Sequence, residues 1–172
     1  STLLGELSAA PAISVILPVL NEEPHLEESV SAILSQDYRG IFEVILALGP
    51  SKDRTNEIAS ALAVRDNRVK LVANPTGKTA VGLNLAIAAS QSSVIVRVDG
   101  HATIPNNYLS LAIEILRETG AVNVGGVMAA QGISKFEKAV ARAMRSPLGV
   151  GASRFHTGGE SGEVDTVYLG AF

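Results

Sequence analysis

The sequence predicts an open α/β fold built on a mostly parallel sheet, and three observations carry that expectation. Short apolar runs of strand length recur along the chain, first at 13–20 (ISVILPVL) and 42–48 (FEVILAL). These runs are almost continuously hydrophobic rather than alternating, which fits strands covered by helices on both faces. Between them lie segments with apolar residues at helical spacing, and strand–helix alternation at this rhythm marks right-handed βαβ units.

The run 13–20 is the first strand. Pro24 suits a first helical turn, and Leu26, Val30, Ile33 and Leu34 follow it at helical spacing. Residues 42–48 form the second strand, and 54–65 a helix with Ile58 and Leu62 four apart. VKLVAN (69–74) is the third strand and the Ala- and Leu-rich stretch 79–90 the next helix. SVIVRVD (93–99) is the fourth strand. The helix over 106–119 has Leu109, Ala112, Ile113 and Leu116 as its apolar face and Gly120 as its stop signal. AVNVGGVMA (121–129) reads as a less regular strand because of its glycines. Ser134 and Glu137 form a capping box for a helix running to about Arg145. A glycine-rich loop spans 149–163, and EVDTVYL (163–169) is one more strand. Residues 1–11 read as an N-terminal extension and 12–172 as one domain.

Composition bounds the function. A chain of 172 residues, 47% of them hydrophobic, buries a sizeable single core. Mean hydropathy is +0.27, yet no apolar run approaches the ~20 residues that cross a bilayer, and no signal-peptide pattern opens the chain. There is no cysteine, hence no disulfide framework or thiolate metal site, and the expected compartment is cytoplasmic. Net charge is −3, from 14 basic against 17 acidic residues, which argues against a nucleic-acid partner. Aromatic residues are 4% of the chain, too few for a base-stacking platform.

In open parallel sheets, ligands bind outside the carboxyl ends of the strands. The first strand ends in Pro18-Val19-Leu20-Asn21-Glu22, the second in Gly49-Pro50-Ser51 and the fourth in Asp99-Gly100-His101. A dinucleotide-fold glycine pattern is missing after strand one, as is a Walker phosphate loop, so a nucleotide here needs another phosphate-binding device. Asp99 and His101 offer one. A carboxylate and an imidazole two residues apart at a strand end can both face a divalent cation, and Gly100 lets a ligand approach the backbone closely. Arg97 shares the strand face of Asp99, where it orients the carboxylate or meets a phosphate itself. The plainer alternative is that Asp99 caps the next segment and Arg97 forms an ordinary ion pair.

The stretches ISVILPVLNEEPHLEESVSAILSQDY, GKTAVGLNLAIAAS and VIVRVDGH resemble the family 2 glycosyltransferases of the GT-A fold. The likeness is greatest to the bacterial exopolysaccharide (succinoglycan-type) transferases, and it covers nearly all of 12–172. It implies a nucleotide-sugar donor, usually carrying UDP, a divalent metal, and transfer with inversion to a saccharide or lipid-linked acceptor. By motif match, Pro18, Asn21 and Glu22 line the nucleotide pocket, Lys78 is a basic position near the donor and Asp99 the first acid of the Asp-x-Asp motif; Val19, Arg97 and Gly100 are expected to bind the nucleotide sugar beside them, with Asp99 and His101 as metal ligands. His101 stands where the family's second Asp of Asp-x-Asp falls. An imidazole suits Mn²⁺ better than Mg²⁺, so Mn²⁺ is expected. Leu48-Gly49-Pro50-Ser51 stands where the family often has Asp-Asp-Gly-Ser, whose Asp touches the base. The resemblance places the general base in a later acidic motif, expected beyond Phe172, and the chain is therefore expected to be a donor-binding part that is inactive alone. Asp165 is the late carboxylate with the remaining claim to that role.

Two rivals share the chemistry of nucleotide and metal: a nucleotidyltransferase and a non-catalytic nucleotide-sugar-binding domain. Finally, Lys135, Lys138, Arg142 and Arg145 recur at three- and four-residue spacing and form one basic stripe. It is either a peripheral contact with the inner face of the cell membrane, or with an anionic acceptor, or a solvated helix face.

Overall fold

The computed structural model describes residues 10–119 and 167–169. Five strands, β1 (Ile13–Val19), β2 (Phe42–Leu48), β3 (Val69–Ala73), β4 (Val94–Arg97) and β5 (Val167–Leu169), form one sheet in the order β3-β2-β1-β4-β5. The first four are parallel, and β5 runs antiparallel to β4 along its outer edge. The helices are α1 (Leu26–Leu34), α2 (Thr55–Arg65), α3 (Thr79–Ala89) and α4 (Tyr108–Thr119). The expected strand over 121–129, the helix from Ser134 to Arg145 with its basic stripe, the loop 149–163 and Asp165 lie outside the described residues.

Side-chain alternation sorts the sheet into two faces. Ile13, Val15, Leu17 and Val19 of β1 point to a large core closed by α1, α2 and α4. Ile16, Ile45, Ala47 and Ile95 point the other way, against Leu83, Ala86 and Ile87 of α3. Burying both faces explains the near-continuous apolar runs, each fully buried Leu or Ile contributing about 1.5–3 kcal/mol. The predicted apolar face of α4, Leu109, Ala112, Ile113 and Leu116, is buried throughout. Among the described residues β3 is one edge strand of the sheet, and Lys70 and Leu71 are exposed on it.

Strand ends differ slightly from the hydrophobic pattern. β4 pairing stops where Arg97 faces Ile16, two residues before Asp99, although Val98 remains fully buried. α4 starts at Tyr108 rather than 106 because Pro105 leads into a turn, and the Tyr108 N–H returns to the Pro105 carbonyl at 3.1 Å. Gln36, just past α1, holds that turn. Its amide donates to the carbonyls of Pro105 (2.6 Å) and Ala32 (3.2 Å), and its oxygen accepts the Leu109 N–H (3.0 Å).

From β1 the chain winds outward through β2 to β3, then crosses back to place β4 on the other side of β1. The carboxyl ends of β1 and β4 therefore flank the point where strand order reverses, which is where such sheets open a crevice.

Candidate functional site

A cleft of about 440 Å³ opens at that point. Pro18, Val19, Leu20 and Glu22 line it from the end of β1, and Arg97, Asp99, Gly100 and His101 from the end of β4. Asn74 and Gly77, after β3, and Thr79, Ala80 and Leu83 of α3 close the remaining side.

The turn after β1 is built on Asn21, whose φ of 52° is in the left-handed region. Asparagine tolerates that region better than most L-residues. The Asn21 N–H donates to Ser51 Oγ at 2.9 Å, and its Oδ1 accepts the Lys52 N–H at 2.7 Å. The next two residues are stitched to the same β2–α2 loop. The Glu22 N–H donates to Thr55 Oγ1 at 2.8 Å, the Glu23 N–H to Asp53 Oδ2 at 3.2 Å, and the Arg54 N–H to Glu23 Oε2 at 3.0 Å. Asp53 is the hub of this seam. The Thr55 hydroxyl above all holds its carboxyl below the usual range; burial opposes it, and the backbone N–H groups of Thr55 and Glu23 add to the lowering. Asn21 itself is exposed, with its amide committed to the neighbouring loop.

At the end of β4, Arg97 and Asp99 lie on the α3 side of the sheet, in line with Ile95. The Arg97 guanidinium reaches Asp99 Oδ1 at 3.5 Å, with side-chain exposures of 12% and 9%. Among the described residues, Arg97 Nε is buried without a hydrogen-bond partner. Gly100 packs directly on Glu22: a β-carbon there would stand 3.2 Å from Glu22 Cγ and 3.6 Å from Val19 Cγ2. His101 Nδ1 lies 3.1 Å from Glu22 Oε1. The fold thus brings together Arg97, Asp99, His101 and Glu22, from two motifs far apart in sequence.

Lys78 is exposed at the start of α3, beside the cleft-lining Thr79 and Ala80. Its carbonyl accepts Asn74 Nδ2 at 3.0 Å, while Thr76 Oγ1 donates to Asn74 Oδ1 at 2.8 Å. Asn74 is buried in the cleft wall and was not singled out from the sequence. The strand-end rule would have found it had it been applied to the third strand as to the other three.

The residues present fit a divalent metal of a particular kind. Among the described residues, no group of three or more His, Asp and Glu side chains could hold a metal ion. A carboxylate and an imidazole fit an ion completed by diphosphate oxygens, as Mg²⁺-like ions generally are, rather than one held in an all-protein cage.

Residues 14–166 match the sequence profile of Glycosyl transferase family 2. The chain belongs to this family. This family 2 chain is 35% identical over 155 residues to the succinoglycan biosynthesis protein ExoA of Rhizobium meliloti, a match covering 89% of the chain and 47% of that protein. It therefore spans about half the length of that relative. The mannosyltransferase PcManGT from Pyrobaculum calidifontis, solved in complex with GDP-Man and Mn²⁺, aligns at TM-score 0.61 and 28% identity, over 67% of this chain and 35% of that one. S. aureus TarS in complex with UDP aligns at TM-score 0.58 and 23% identity, over 65% and 34% of the two chains, and shows the shared GT-A fold. One departure from the family pattern has a structural correlate. At Gly49, where the resemblance implies an Asp, a β-carbon would meet Leu20 Cδ1 at 3.0 Å and Gly77 Cα at 3.4 Å. A side chain there requires these neighbours, the exposed Leu20 side chain first, to give by a few tenths of an ångström.

Proposed function

We propose that this chain is the donor-binding part of an inverting glycosyltransferase that takes a UDP-sugar with a divalent metal. The observation carrying the proposal is the convergence of Arg97, Asp99 and His101 on the cleft at the strand-order reversal. The family membership supports glycosyl transfer, and the GDP-Man and Mn²⁺ complex of PcManGT supports a metal-bound nucleoside diphosphate as the donor. Asp99 and His101 would hold the metal, with Mn²⁺ preferred over Mg²⁺ because an imidazole is one of the ligands. Bound there, the metal supplies neutralisation of the charge that builds on the departing diphosphate.

The chain's own residues then have distinct tasks. Arg97 orients Asp99 and lines the cleft as a fixed positive charge beside the donor's phosphates. Gly100 keeps the backbone open to close approach, and Pro18 and Val19 form the wall beside it. Lys78, at the mouth of α3, meets phosphate as a mobile point charge. Asn21 and Glu22 shape the nucleotide side of the cleft. A carboxylate on the acceptor side takes the proton of the attacking hydroxyl, Asp165 being a candidate. The ExoA likeness supports a saccharide or lipid-linked acceptor in polysaccharide assembly. We place the protein in the cytoplasm at the membrane surface, with contact through Lys135, Lys138, Arg142 and Arg145; no helix among the described residues is long and apolar enough to cross a membrane.

Calorimetric titration with UDP, GDP and TDP, each with and without Mn²⁺, tests this reading. UDP with Mn²⁺ should bind most tightly, and removing the metal should weaken it at least about tenfold, 1.4 kcal/mol. His101→Asp should retain binding while shifting preference toward Mg²⁺. Absence of binding to any nucleoside diphosphate refutes the proposal.

A further inference from the structure

Glu22 and His101 are 79 residues apart in sequence and meet across the cleft floor at 3.1 Å. Their side chains are 20% and 18% exposed. Several independent features aim the Glu22 carboxylate at the ring. The left-handed turn at Asn21 redirects the chain. Thr55 Oγ1 holds the Glu22 N–H, and the Glu22 carbonyl accepts the N–H groups of His25 (3.0 Å) and Leu26 (2.9 Å) at the start of α1. The backbone of Glu22 is thus fixed on both sides. Gly100 then leaves the space through which the side chain passes, since a β-carbon there would stand 3.2 Å from Glu22 Cγ.

We propose that Glu22 is a positioning residue for His101: it fixes the imidazole as the tautomer protonated at Nδ1. The inference rests on the donor-site reading only for the use to which the ring is put. An ionised carboxylate accepts hydrogen bonds and donates none, so the neutral ring facing it carries its proton on Nδ1. Nε2 then has the lone pair, which is the form a ligand for a divalent cation requires. Metal-binding histidines generally donate their other ring N–H to a carboxylate or carbonyl in this way. The Asn-Glu pair after β1 therefore divides its work. Asn21 turns the chain, and Glu22 sets the ring at the end of the neighbouring strand.

The tautomer is read by long-range ¹H–¹⁵N NMR of the His101 ring in the metal-free chain at neutral pH. The wild type should show Nδ1 protonated and Nε2 unprotonated. Glu22→Ala should move the ring toward the Nε2-protonated form, and Glu22→Gln, whose amide oxygen still accepts, should retain the wild-type pattern. Circular dichroism confirms that each variant is folded, and Glu22→Leu, which keeps the bulk of the side chain but has no acceptor, should switch the ring in the same way and replaces alanine if that variant unfolds. In a second measurement, electron paramagnetic resonance reads Mn²⁺ affinity in the presence of UDP. Glu22→Ala should weaken it about 10–100-fold, the usual effect of losing such a partner, and Glu22→Gln should recover most of the loss. An unchanged tautomer in Glu22→Ala overturns the proposal, as does a Glu22→Gln variant as impaired as alanine in both measurements. A ring that switches as expected in a chain with no affinity for Mn²⁺ and UDP upholds the positioning role and refutes the donor-site reading instead.

Discussion

Replacing Asn21 by alanine and, separately, by glycine separates the two roles of this residue. Its φ of 52° is a conformation that disfavours a β-carbon by roughly 1–2 kcal/mol, less for asparagine than for most residues. Its Oδ1 accepts the Lys52 N–H at 2.7 Å in an exposed setting, where water replaces a lost partner, so that bond contributes about 0.5–1 kcal/mol. Asn21→Ala keeps a β-carbon in the turn, loses asparagine's better tolerance of it together with the hydrogen bond, and should be destabilised by about 1–2 kcal/mol. Asn21→Gly loses the hydrogen bond but adopts the left-handed turn without steric strain, against some extra entropy of the unfolded chain. It should be about 1 kcal/mol more stable than the alanine variant, a difference of roughly 2–4 °C in thermal midpoint for a chain of this size. Urea denaturation monitored by circular dichroism measures both, with unchanged slopes showing that stability alone has moved. Alanine and glycine variants of equal stability, or glycine the worse, would refute the claim that the Asn-Glu motif begins with a backbone requirement.

Three further outcomes follow from other parts of the structure. Gln36→Leu orphans the buried Pro105 carbonyl and Leu109 N–H at about 1–3 kcal/mol each, so thermal unfolding should report a loss of about 3 kcal/mol. Asp53 has a carboxyl held below its usual range by Thr55, so its contribution is present above the unfolded value near ~4 and drains away as pH falls through the lower native value. Asp53→Asn should flatten the acid limb of the stability–pH curve below about pH 4, and an unaltered limb would show that the seam does not depend on ionised Asp53. Co-sedimentation should show binding to anionic but not neutral vesicles that is lost when Lys135, Lys138, Arg142 and Arg145 are changed to Gln, each basic residue contributing about 1 kcal/mol near such a surface; equal, negligible binding to both vesicle types would rule out the membrane role.

The parts of the fold legible in the sequence are those that leave a local period. β2 was readable at 42–48 because it lies between β1 and β3 with both faces buried, so its hydrophobicity ends where its pairing ends. β4 was read too long, as 93–99, because Val98 stays in the core and its N–H still donates to the Ile16 carbonyl at 3.0 Å, one residue past the last pair at Arg97. The site was legible where side chains stand at a strand end, as Asp99 and His101 do. Contacts that close the site over long sequence separations left no such trace. The Glu22–His101 pair and the clamp from Gln36 to the β4–α4 turn each join residues about seventy or more apart. The left-handed backbone of Asn21 was likewise invisible, because the same Asn-Glu dipeptide also reads as an ordinary helix entry.

Everything proposed for the donor site turns on whether Asp99 contacts the metal-bound diphosphate, and a single calorimetric comparison decides it. Wild type and Asp99→Asn are titrated with UDP in the presence of Mn²⁺, with circular dichroism confirming an unchanged fold. Asparagine keeps the shape of the side chain but removes the charge that draws a divalent ion. Affinity should fall at least about tenfold, 1.4 kcal/mol, with the metal-free titrations of the two proteins alike. An Asp99→Asn variant that binds UDP with Mn²⁺ as tightly as the wild type would contradict the assignment of this strand end as the donor site.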